Sequence, residues 1–324
     1  MLFWLTLVTL SAVVFAGLYI YRRTAVGALI SYVLAREKPI RGHVSIASLE
    51  GPLTKHTVRF LIYLPEGYES SERRYNVIYH LHGAAPLPWH RMKRLLGVEI
   101  NRLAFSLEKA VESGLIDPAI IVAPHDGYGR SMWSDSKDGK APVETRLIRE
   151  FIPHIDATYR TEATRSSRVI EGFSMGGFGA MKYALKYPDM FSVCVSYDGA
   201  IHNWETLTKT RPGIAKAVFG GDEEYFQQYS PWSYARPQKQ SIAFRSNVGL
   251  LRKFNRSFRA HLQRLKVPME YTETSCSHNL FCLLTKVGQE TFEFIGKHLR
   301  NAKLSGNGFA QPSAVDRSSA AEDR

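Results

Sequence analysis

"RVIEGFSMGGFGAMKYAL", residues 168–185, runs from an apolar segment through four glycines into a helical pattern. One serine, Ser174, stands between Gly172 and Gly176 where the strand must become a helix. Flanking glycines permit a sharp, strained bend that lifts a hydroxyl clear of a sheet edge. An ordinary strand-to-helix turn, with the serine as helix cap, would use the same residue types. The rest of the chain decides between the two.

Working outward, short β-rich runs alternate with helical patterns. "HVSIAS", "TVRFLIYLP", "NVIYHLHG", "AIIVAPHDG", "SRVIEGFS", "FSVCVSYDGA", "SIAFRS" and "MEYTETS" read as strands. "LAFSLEKAVESG", "VETRLIREFIPHIDATY", the segment from Gly176 and "TKVGQETFEFIGKHLR" read as helices. Continuous apolar strands separated by helices indicate a mostly parallel sheet covered on both faces. Ser174 then lies at the carboxyl edge of a central strand, where open parallel sheets form their sites.

The 324 residues, 44% apolar and 12% aromatic, supply a large core and exclude disorder of the whole. The first 21 residues carry no charge and are long enough to cross a bilayer, with Arg22 and Arg23 directly behind. They are expected to form a single-pass membrane anchor. A signal peptide cut near Val14 and Ala16, leaving a secreted or periplasmic protein, is the alternative. The arginines favour a cytoplasmic domain, although the side of the membrane stays open.

The net charge of +12 is concentrated in residues 241–266, which hold seven Lys or Arg and no acid. Leu251, Phe254, Phe258, Leu262 and Leu265 recur there at helical spacing, so the cations occupy the opposite, solvated face. Attraction to anionic lipid is a second reading of that face. Nucleic acid is not an expected partner, because no recognition motif accompanies the charge. Cys194, Cys276 and Cys282 do not make a disulfide framework, and no metal or cofactor motif appears.

A serine hydroxyl is a weak nucleophile until a base takes its proton, and the oxyanion it creates needs donors. His278, in "TETSCSHNLF", follows the last expected strand and fits the order nucleophile, acid, histidine. The backbone N–H of Met175 and that of Ala84, in "LHGAAP", are the candidate oxyanion donors.

With "YLPEGY", "YHLHG", "MWSDS", "EFIPHIDATYRT", "GFSMGGFGAMKYALKYPDMF" and the terminal Ser-His, residues 42–300 resemble the esterase D-like branch of the α/β-hydrolases. That branch includes S-formylglutathione hydrolases, feruloyl and tributyrin esterases and the mycolyltransferase antigens. The resemblance implies an α/β-hydrolase fold, Ser174 as nucleophile and His278 as base. It also implies a departure, because relatives carry an aspartate where this chain has Val248. Asp198, in "SYDGA", ends the preceding strand and is the substitute acid; Glu273 and no acid at all are the alternatives.

The expected organisation is an anchor at 1–21, a basic connector at 22–41, an α/β-hydrolase domain at 42–300 and a disordered tail at 301–324. The expected activity is hydrolysis of carboxylic esters or thioesters through an acyl-enzyme. Acyl transfer by the same residues and a catalytically silent binding fold are the rivals. Residues 201–240 and Trp133 are expected to line the substrate cleft.

Overall fold

The apolar runs form one eight-stranded sheet in the computed structural model, which describes residues 38–237 and 242–306. The strands are β1 (His43–Glu50), β2 (Thr57–Leu64), β3 (Asn76–Leu81), β4 (Ala119–Pro124), β5 (Arg168–Phe173), β6 (Val193–Tyr197), β7 (Ala243–Val248) and β8 (Glu270–Glu273). Their order across the sheet is β1-β2-β4-β3-β5-β6-β7-β8. β1 pairs with β2, and β2 with β4, antiparallel; every later pairing is parallel. All residues of β3, β4 and β6 are buried, as strands covered on both faces require.

Alternation along each strand feeds two cores. On β3, Val77, Tyr79 and Leu81 face one core and Ile78 the other. Helices α1 (Trp89–Glu112) and α9 (Leu280–Gly306) cover the second core with Met92, Leu96, Ile100, Leu103, Leu283 and Ile295. The first lies under a helical segment α2, helix α3 (Met175–Lys186) and helix α8 (Arg252–Arg264). α2 consists of Val143–Arg146, a π-helical turn Leu147–Phe151 and Ile152–Thr158. Pro153 has no N–H to continue an α-helical ladder, and the wide turn before it absorbs the defect.

Residues 204–234 fold into four short helices, α4 (Trp204–Thr210), α5 (Pro212–Phe219), α6 (Glu223–Gln227) and α7 (Pro231–Tyr234). Asn203 opens this series with a capping box to Thr206. Phe219 and Phe226 anchor it in the core, their rings 5.0 Å apart and edge to face.

Two of the expected segment boundaries differ from the sequence reading. The tail does not begin at Asn301: α9 continues through Gly306, held by the Lys303–Glu162 ion pair at 2.8 Å. Upstream, the N–H of Lys38 donates to Asn101 and those of Arg41 and Gly42 to Glu108, so the end of the connector is docked on α1. Among the described residues no helix is long and apolar enough to cross a membrane. The expected spanning segment, residues 1–21, and residues 307–324 of the expected tail lie outside the described residues.

Candidate active site

The turn at Ser174 is the strained one. Its φ of 57° and ψ of −114° lie where L-residues rarely go, and strain of that kind persists only when the surroundings impose it. Here the Ser174 N–H donates to the Tyr197 carbonyl at 3.0 Å, and the Ser174 carbonyl accepts from Ala200 at 2.8 Å. Gly176 lets α3 start against β3, since a Cβ there would lie 1.8 Å from the Leu81 carbonyl oxygen. The side chain is left half-buried at the sheet's carboxyl edge.

His278 comes from the irregular loop between β8 and α9. Its Nε2 is 2.8 Å from Ser174 Oγ, and its Nδ1 is 2.6 Å from Asp198 Oδ2. The ring stacks on Phe173, with centroids 4.6 Å apart, which fixes the plane of the imidazole. Asp198 follows β6 directly, has a φ of 46° and is fully buried. Its Oδ1 accepts from the N–H groups of Gly249 (3.0 Å) and Leu251 (2.9 Å), and its Oδ2 from that of Leu250 (3.1 Å). With the imidazole, four donors satisfy a carboxylate that would otherwise be costly to bury.

The structure therefore brings Ser174, His278 and Asp198 into one hydrogen-bonded line. It does not bring Glu273 there: that side chain pairs with Arg256 at 2.6 Å and takes the Tyr271 hydroxyl. The Arg256 hydrogen bond is the main cause that lowers its pKa to about 2. Val248 is buried at the end of β7, and the turn after it supplies the three N–H groups that hold Asp198.

The loop after β3 lies against the serine. A Cβ on Gly83 would come within 3.3 Å of Ser174 Cβ, so the backbone of this loop is a direct neighbour of the hydroxyl. The N–H groups of Ala84 and Met175 make no hydrogen bond within the described residues and stay available to a ligand oxygen. Asp126 secures the loop's surroundings by accepting from Tyr128, Gly129 and Ser131, and the Ala85 N–H donates to Gly129. Trp133 is 1% exposed and donates from Nε1 to the His82 carbonyl at 3.1 Å, bracing the loop after β3.

His82, His125 and Asp126 are the described residues whose donor atoms come close enough to suggest a metal, all within 4.8 Å. Loop donors already occupy the Asp126 carboxylate, and the Arg146 guanidinium donates to the Asp126 carbonyl. Burial, followed by the neighbouring His82, pushes the His125 pKa down to about 4. The cluster reads as support for the loop.

Two features escape a reading of sequence. Cys276 and Cys282 are joined in a disulfide that brackets His278, a pairing that "SCSHNLFC" permits but does not require. Beneath the elbow, His80 and Glu171 form a fully buried pair at 3.0 Å, with Glu99 3.6 Å away. Burial opposes charge on His80, yet the carboxylates of Glu171 and Glu99 prevail and raise its pKa to about 9.

Residues 52–261 match the family model described as "Putative esterase". The chain belongs to this esterase family. It is 36% identical over 140 residues to Esterase Rv1288 of Mycobacterium tuberculosis, covering 43% of this chain and 28% of that protein. A xylanase/feruloyl esterase of Xylanibacter ruminicola is 29% identical over 170 residues, covering 49% of this chain and 22% of the relative. The chain thus spans about a quarter of the length of these curated relatives. Among solved structures, a ferulic acid esterase superposes with a TM-score of 0.65 at 22% identity, covering 80% of this chain and 99% of that one. An S-formylglutathione hydrolase from Agrobacterium tumefaciens gives 0.62 at 16%, covering 82% and 99%. These likenesses establish an α/β-hydrolase fold for this esterase-family chain.

Proposed function

We propose that this esterase is a serine hydrolase that cleaves carboxylic esters or thioesters through an acyl-enzyme. The observation that carries the reading is the unbroken line Ser174 Oγ, His278 Nε2, His278 Nδ1, Asp198 Oδ2, with links of 2.8 and 2.6 Å. Such links are within the reach that proton transfer needs.

In this reading Ser174 attacks the acyl carbonyl while His278 Nε2 takes its proton. Asp198 holds the Nδ1–H tautomer and stabilises the imidazolium without becoming protonated. The N–H groups of Met175 and Ala84 receive the oxyanion. Collapse expels the alcohol or thiol with the proton from His278. A water, deprotonated by the same nitrogen, then releases the acid. An alcohol in place of that water gives acyl transfer, so partition between added alcohol and water separates the two outcomes.

The test is hydrolysis of p-nitrophenyl acetate by the full-length chain beside Ser174→Ala, with fluorophosphonate labelling of both. The reading expects turnover and labelling in the wild type and neither in the variant. Equal background rates from two folded proteins would remove it and leave the binding-protein alternative. The uncharged residues 1–21 ahead of Arg22 and Arg23 also support attachment of this domain to a membrane. Detergent-dependent release of the intact chain from the membrane fraction checks this, and a mature N-terminus near Gly17 would refute it.

A further inference from the structure

We propose that the Cys276–Cys282 disulfide is the positioning element for His278, and that reducing it uncouples the imidazole from Ser174. This rests on the serine-hydrolase reading above. The loop from Ser275 to Asn279 has no regular structure, yet it must hold one imidazole against partners on two other strand ends.

Its internal hydrogen bonds are short-range. The Asn279 N–H donates to the Ser277 carbonyl at 2.8 Å, and the Cys282 N–H to the Asn279 side chain at 3.0 Å. The disulfide spans this segment, from Cys276 near its start to Cys282 in the helix beyond it, across a sequence separation of 6. Cys276 is 4% exposed and packs in the core beside Leu280 and Leu283; Cys282 lies in the first turn of α9. The covalent link therefore ties the start of the base loop to the helix that ends it.

The far side of the loop touches the acid's own support. A Cβ on Gly249 would lie 2.7 Å from the Ser277 carbonyl oxygen and 2.8 Å from that of Cys276, while the Gly249 N–H donates to Asp198. The loop backbone thus seats directly on the turn that holds the carboxylate. Loosening at Cys276 moves His278 and its contact with that turn together.

Cys282 is partly accessible whereas Cys276 is buried, so a small dithiol attacks the Cys282 sulfur. That attack breaks the S–S bond and expels the Cys276 thiolate, the dithiol's second thiol then closes on the mixed disulfide to free Cys282, and the dithiol's two protons complete the cysteine thiols. Cys194, the remaining cysteine, is buried and lies outside the loop.

The experiment compares the full-length wild type, before and after dithiothreitol, with Cys276→Ser/Cys282→Ser. Displacing a catalytic group by about 1 Å costs on the order of 10²-fold. Reduction is therefore expected to lower kcat about 10²-fold with KM changed less than about threefold, and oxidised glutathione restores it. The rate of fluorophosphonate labelling falls in parallel, while circular dichroism shows the fold retained at the assay temperature. The double variant starts low and does not respond to dithiothreitol.

If the disulfide served stability alone, its reduction would lower Tm and leave kcat below Tm unchanged, which would overturn the proposal. So would as-prepared protein whose Cys276 and Cys282 titrate as free thiols. Loss of labelling in the oxidised wild type would instead overturn the serine reading, and this proposal with it. Retained turnover after complete reduction overturns only this proposal.

Discussion

Asp198→Asn is the substitution whose cost the geometry defines best. The carboxylate faces donors alone: two N–H groups at Oδ1, and one N–H with the His278 Nδ1–H at Oδ2. An amide must turn its NH2 toward one of these pairs, setting donors against donors. If it faces the histidine, the ring relieves the clash by moving its proton to Nε2. That tautomer cannot accept a proton from Ser174. A wrongly held tautomer lowers kcat by about 10⁴-fold, equivalent to about 5 kcal/mol of transition-state stabilisation. A backbone N–H left unpaired adds about 1–3 kcal/mol of lost stability. The assay is kcat and KM for p-nitrophenyl acetate at neutral pH, with a urea melt on the same preparation. A folded Asp198→Asn within tenfold of wild-type kcat would refute the assignment of Asp198 as the acid, whatever the melt shows.

Other expected outcomes follow from packing and charge. Gly176→Ala would drive a methyl into the Leu81 carbonyl, costing about 3 kcal/mol in stability. Gly213→Ala, with nothing within 4 Å, should leave the melt unchanged or raise it; equal effects from the two would discredit the elbow argument. His80, raised to about 9 in the fold, stabilises it fully below the ordinary histidine pKa of about 6.5, and that contribution is lost as pH climbs through about 9. Stability should therefore fall by on the order of 3 kcal/mol over that window, and His80→Gln should flatten the curve; parallel pH profiles of Tm would sink the idea.

Much of the architecture is legible because both faces of the sheet are covered, so strands such as "NVIYHLHG" read as unbroken apolar runs. The serine and the histidine are legible as well, because a glycine-flanked turn and the edge after the last strand restrict where those groups can stand. Helix α1 is only half legible. Its first turns carry Gly97 and Glu99, which break the apolar stripe, and Glu99 is buried because it faces His80. A charged residue that pairs across a core looks the same in sequence as one in water. The Cys276–Cys282 link is hidden for a related reason, since spacing alone does not say whether two sulfurs meet. Asp198 stands out as an aspartate closing a strand, but the three N–H groups that hold it are backbone, and no side chain signals them.

β6 and β7 end side by side, so the carboxylate after β6 meets the imidazole while the turn after β7 supplies the N–H groups that hold it. A census that scores chains by the residue at Val248 alone would overlook the carboxylate that reaches this imidazole. Scoring by which carboxylate reaches the ring would not.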